Sequence, residues 1–278
     1  MAYLWGPGAD LAFRRGWTHG ILALALWPFL LTGAIALLDR AIRRLRHLTQ
    51  PSGLISGQVL LLAAIGVWSH PVLDTINTYG VRWLMPFSGR WFYGDTLFIV
   101  DPWLWATLAI GVVLSRSGRR TTRPARVALG LGAAYALAMA LSSLAARRIA
   151  ARELVAATGE PVHRMMVSPL PMNPFARRVV VDQGEVYRRA GFGWLTTPHL
   201  DAASVEVYPK GETNHPAVRA ATATTLGRRF LGWARFPAYE IEDQGAGRFV
   251  VHIVDLRYAD RPRAGFGAVS VPVTIERR

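Results

Sequence analysis

Gln58-Val59-Leu60-Leu61-Leu62-Ala63-Ala64-Ile65-Gly66-Val67-Trp68-Ser69-His70-Pro71-Val72-Leu73-Asp74 is the stretch on which the reading of this chain turns. It belongs to an uncharged run from Ser52 to Trp68. A polar block, Ser69 to Gly80, follows at once and contains His70, Asp74, Asn77 and Tyr79. The run is at the short end of what crosses a bilayer in helical form. An imidazole and a carboxylate at the mouth of such a helix are costly unless they have a task. At positions i and i+4 they share one helical face and can hold one metal ion. An interfacial His beside a capping Asp is the plainer alternative.

Three further apolar runs extend the pattern. They are Gly20 to Leu38, Leu97 to Leu114 (interrupted by Asp101-Pro102), and the Ala- and Gly-rich Val127 to Ala146. Small residues such as Gly130, Gly132 and Ala136 allow close helix packing in lipid. We therefore expect an α-helical membrane domain of about four transmembrane helices over residues 1–149. The first run lacks a small-residue cleavage pattern and is followed by Arg40, Arg43, Arg44 and Arg46, so it does not read as a signal peptide.

Composition agrees. Hydrophobic residues make up 51% of the 278 and the mean hydropathy is +0.22. The net charge is +14, and Lys210 is the one basic residue that is not Arg. Because Arg clusters flank the apolar runs, the charge reads as membrane topology and contact with lipid headgroups, and no nucleic-acid partner is expected. The loops after the first and third runs hold nine Arg, and the opposite side holds seven: Arg14, Arg15, Arg82, Arg90, Arg147, Arg148 and Arg152. The positive-inside rule then places the C-terminal domain outside the cytoplasm.

Residues 150–278 contain no run of spanning length and read as a small β-rich α+β extramembrane domain. Strands are expected at Val179–Asp182, Glu185–Phe192, Ser204–Tyr208, Tyr239–Glu242, Arg248–Tyr258 and Ala268–Glu276. One helix is expected over His215–Trp233, opened by Pro216. Asp243-Gln244-Gly245-Ala246-Gly247 reads as a turn.

Cys is absent, so a transition-metal site must use His and carboxylates. The helix order places Arg15, His19, His70, Asp74, Asp95 and Asp101 at the same membrane face. His19, His70, Asp74 and Asp101 could converge there on zinc, with manganese as second choice. Asp101 before Pro102 is also an ordinary helix start. Trp17, Trp68, Trp83, Trp91, Trp103 and Trp105 read as an interfacial aromatic belt.

Several blocks resemble the YdjM-type family of bacterial inner-membrane proteins, whose members are described as membrane-bound metal-dependent hydrolases. They are Arg15-Gly16-Trp17-Thr18-His19, Ser69 to Asp74 with Asn77 to Gly80, Trp83 to Ser88, and Phe98-Ile99-Val100-Asp101-Pro102. Pro169 to Phe175, Phe230 to Pro237 and Asp255 to Tyr258 resemble the tail of longer members. The family is distantly similar to zinc-dependent phospholipase C. The resemblance implies His19, His70 and Asp74 as metal ligands, with Asp101 as a further candidate, and a phosphoester substrate, small or lipid-linked. In a metal-dependent hydrolase of an ester or phosphoester, Arg15 and Asp101 are the catalytic candidates, with Arg15 stabilising the developing negative charge. The resemblance also implies that the chain begins after the family's Asp-x-x-Thr-His and Pro-Asp-x-Asp motifs, with Met1 to Trp5 matching the stretch that follows them. Phe13 and Arg14 stand where many members carry His. The competing reading is a membrane-anchored binding or scaffold protein whose polar residues serve as caps and anchors.

Overall fold

The computed structural model describes residues 13, 15–48, 53–117, 121–195, 198–258 and 266–275. Arg14, Arg119, Arg120, Glu276 and the Met1 to Trp5 stretch lie outside these residues. The chain forms two compact units, Ala12–Tyr93 and, for the described remainder, Gly94–Arg278.

In the first unit, α1 (Ile21–Leu45) and α2 (Ser56–Thr75) pack as a helical hairpin. The apolar run stops at Trp68, but the helix does not: it continues through His70, Pro71 and Asp74. Pro71 lacks the N–H that an interior helical residue donates. Thr75 Oγ1 donates to the Pro71 carbonyl at 2.7 Å and accepts from Trp83 Nε1 at 2.7 Å, which ties the last turn to the following loop. That loop folds back on itself through backbone bonds between Val81 and Phe92. It also holds the segment before α1: Arg82 N donates to Arg15 O, and Ile21 N donates to Trp83 O. Gly20, the N-cap of α1, sits against this loop so tightly that a Cβ would lie 2.4 Å from the Met85 carbonyl oxygen.

In the second unit, α3 (Pro102–Ser117) packs on α4 (Arg123–Thr158). They meet tightly at Gly111, where a Cβ would lie 2.3 Å from Ala128 Cβ, the small-residue contact expected of helices in lipid. Among the described residues, α1, α2 and α4 are long and apolar enough to cross a membrane. With 16 residues, α3 rises only about 24 Å, short of a hydrocarbon core of about 30 Å.

With its 36 residues, α4 outlasts its apolar part and enters the β-domain. Ala146, Ala150 and Leu154 are buried against Met165, Val167, Val179 and Val181. These belong to an antiparallel sheet of β1 (Arg164–Leu170), β2 (Asn173–Gln183), β3 (Val186–Gly193) and β4 (His199–Pro209), paired in that order. The opposite face of the sheet carries Met166, Val180 and Tyr187 and packs on Phe236, Ala238, Val254 and Leu256. Burial on both faces explains the unbroken Val179-Val180-Val181 run. The second sheet is β5 (Pro237–Asp243), β6 (Arg248–Asp255) and β7 (Ala268–Thr274), also antiparallel. The single helix expected over His215–Trp233 is two, α5 (Pro216–Ala223) and α6 (Thr225–Leu231). Thr224 takes an extended conformation between them, and its side chain caps α6 by accepting from Gly227 N. The first strand of the domain, β1, has no counterpart among the expected strands.

Two buried carboxylates organise this unit. Asp255 accepts from Arg257 N at 3.1 Å, Arg257 Nε at 2.8 Å and Arg235 N at 2.8 Å. Asp95 pairs with Arg235 at 2.8 Å and lies 3.5 Å from Arg147 on α4.

Candidate metal centre

Running α2 on to Thr75 puts His70 and Asp74 one turn apart on a single helical face, with His70 Nε2 3.4 Å from Asp74 Oδ2. The turn preceding α1 supplies the third group. His19 N and Gly20 N both donate to the Gly16 carbonyl, and the closed turn aims the His19 ring at α2. His19 Nε2 lies 3.5 Å from the same Asp74 Oδ2, and the two imidazole rings are 5.2 Å apart. One ligand atom from each of His19, His70 and Asp74 can be chosen so that all lie within 4.8 Å of one another. The three residues can therefore hold a metal ion.

The two oxygens of Asp74 are treated differently. Oδ1 is 2.9 Å from Arg15 Nη2 and 3.4 Å from Asn77 Nδ2. Oδ2 is buried and has no hydrogen-bond partner. A buried carboxylate oxygen is normally satisfied, and one without a hydrogen bond that is bracketed by two imidazoles has the donor chemistry a divalent cation takes. Two imidazole nitrogens and a carboxylate are a ligand set that suits zinc and leaves a coordination position open. His19 Nδ1 lies 2.6 Å from Thr18 Oγ1, the outer contact that typically orients a ligating imidazole.

Arg15 is fixed from three sides. Besides Asp74, it donates from Nη1 to Asn77 Oδ1 at 3.1 Å and stacks over the Tyr79 ring at 4.4 Å. Asn77 Oδ1 also accepts from Tyr79 N at 2.8 Å, closing the turn after α2. Nearby Arg82 lies over the Trp91 ring at 5.0 Å, and burial pushes its guanidinium below the ordinary value.

Asp101 belongs to the second unit. Its Oδ1 caps α3 by accepting from Trp103 N and Leu104 N, and its Oδ2 accepts from Tyr135 OH at 3.0 Å. Both of its oxygens are engaged by groups of its own unit. Asp95 is likewise engaged by Arg147 and Arg235. Two contributors carried no assigned role in the sequence reading, Thr18 and Asn77. Asn77 was visible as a polar residue one turn beyond Asp74, but its role depends on where Arg15 lies. Thr18 stands beside His19 and gave no separate signal.

A family model described as YdjM inner membrane protein matches residues 3–149. No curated protein and no solved structure matches the chain. The matched span takes in α1, α2 and α3, the Arg-Gly-x-Thr-His block and the His-x-x-x-Asp block, and by this match the chain belongs to the YdjM inner membrane protein family.

Proposed function

We propose that this protein is a multi-pass inner-membrane hydrolase that uses a divalent metal, zinc before manganese, on an ester or phosphoester. The observation that carries the reading is Asp74 Oδ2, buried and unsatisfied between His19 and His70. In the proposed site these three side chains are the ligands. The bound ion would supply Lewis acidity and an acidified water for attack on the ester. The Nδ1–H tautomer of His19, donating to Thr18, frees Nε2 for the metal. Arg15 holds Asp74 by Oδ1 so that Oδ2 faces the imidazoles, and it adds positive charge where negative charge develops. The analogy to zinc-dependent phospholipase C is one of ligand chemistry carried on helices. Asp101 keeps a place in the proposal as a residue that fixes the start of α3. In this reading α3 is a fourth membrane segment paired with α4, and the β-domain lies on the periplasmic side, with the Arg-rich loops in the cytoplasm.

Elemental analysis of the detergent-solubilised protein tests the centre. About one zinc or manganese per chain is expected, and it should be lost in the His70→Ala/Asp74→Ala double variant. Equal metal content in both proteins, or none in either, would overturn the site. Metal retained without turnover of any ester or phosphoester would instead favour the membrane-anchored binding protein.

A further inference from the structure

Below the His19/His70 pair, α1 and α2 do not close on each other. They leave a groove of about 450 Å3, and its lining is polar only at the end where Thr18, His19 and His70 stand. On α1 the wall is Leu24, Trp27 and Leu31, one helical stripe at i, i+3 and i+7. On α2 it is Ala63, Gly66 and Val67. These three precede His70 by seven, four and three residues, so the face that carries the candidate ligand continues as the groove wall. From Leu24 to Leu31 the wall rises about 10 Å.

We propose that this groove seats one hydrocarbon chain of the substrate, so that the site takes a membrane lipid with a phosphoester or ester head directly from the bilayer. The proposal rests on the hydrolase reading above and adds the substrate class to it. Three features favour a lipid chain over a protein segment. The groove's volume lies in the range of small-molecule sites, whereas a helix with its side chains is about 10–12 Å across. One end is polar and leads to the metal-ligand cluster, as an amphiphile requires. Both walls belong to helices long and apolar enough to span a membrane, and in a bilayer the groove's open side would meet hydrocarbon. Gly66 is the gap in the wall. Nothing lies within 4 Å of where its Cβ would be, so a larger side chain there fills the groove without displacing backbone.

The test uses the full chain in lipid nanodiscs with a long-chain alkyl phosphate ester that carries a photoactivatable diazirine on its tail. Labelled residues are mapped by mass spectrometry, and metal content is measured on the same samples. Labelling should concentrate on Leu24 to Leu31 and Ala63 to Val67. It should fall at least about tenfold in Gly66→Phe, with metal content unchanged, given a gain of roughly fourfold per buried methylene. Labels spread evenly over the outer faces of α1 and α2, or unchanged in Gly66→Phe, would overturn the chain-binding groove while leaving the metal centre standing. A cross-link between two copies at Gly66, in place of lipid label, would overturn it by assigning the groove to a second chain. Loss of the metal centre alone, with groove labelling intact, would fail the hydrolase reading and keep the lipid site.

Discussion

Asp255 and Asp74 are both buried carboxylates with an arginine beside them, and they are completed in opposite ways. Asp255 has every contact it needs within its own unit: Arg257 grips it from side chain and backbone, and Arg235 N adds a further bond. Asp74 has one oxygen held by Arg15 and Asn77 and one oxygen left without a hydrogen bond, facing two imidazoles. A protein interior tolerates the first arrangement as structure. The second costs stability unless something outside the chain completes it. The contrast separates a carboxylate satisfied wholly by its own unit from one whose free oxygen is placed as a metal ligand would be.

The largest break in this contrast should come from Asp255→Ala. It strands the fully buried Arg257 and should cost about 3–5 kcal/mol, read by denaturant unfolding followed through Trp233 fluorescence. Asp74→Asn should behave in the opposite way. It keeps an acceptor for Arg15, so unfolding should shift by about 1 kcal/mol or less. Metal affinity should fall by at least about 100-fold, measured by competition with a chromophoric chelator. Thr18→Val sharpens the comparison by touching only the outer contact of His19. Metal affinity should drop about 10- to 100-fold with unfolding unchanged.

The smallest effect is on the surface. The Tyr208 hydroxyl, and after it Arg189, hold the Glu206 carboxyl below the ordinary carboxylate range. A depressed folded-state pKa stabilises above the unfolded value of about 4.3 and loses that stabilisation as pH falls through the folded value. Glu206→Gln should therefore reduce stability slightly at neutral pH and flatten the acid limb of the unfolding curve. Half exposure keeps the change small.

Of the four expected membrane helices, three are long and apolar enough among the described residues, legible because long apolar runs have few other uses, and the strands around Val179–Val181 and Arg248 were legible from β-branched density. What hydropathy could not see was where a helix ends. α2 continues for seven residues past Trp68 because its polar last turn is held by Thr75 and the Trp83 loop, contacts distant in sequence. β1, Arg-Met-Met-Val-Ser-Pro-Leu, is buried on both faces and contains Pro169, so neither alternation nor composition announced it. In the site, His70 and Asp74 could be paired from spacing alone. Helix order put Arg15 and His19 at the same membrane face as His70 and Asp74, but their contacts depend on the tertiary return of α1 against α2, which spacing does not encode. Asn77 and Thr18 act through partners, and spacing says nothing about partners.

The continuity of α4 has a mechanical consequence. One unbroken helix carries both the apolar span and the residues that seat the first β-sheet, so the two are geared to a common shaft. Adding one residue between Ser143 and Ala146 would turn the sheet by about 100° and lift it by about 1.5 Å. The length of that helix sets which side of its own apolar span the first sheet is turned towards.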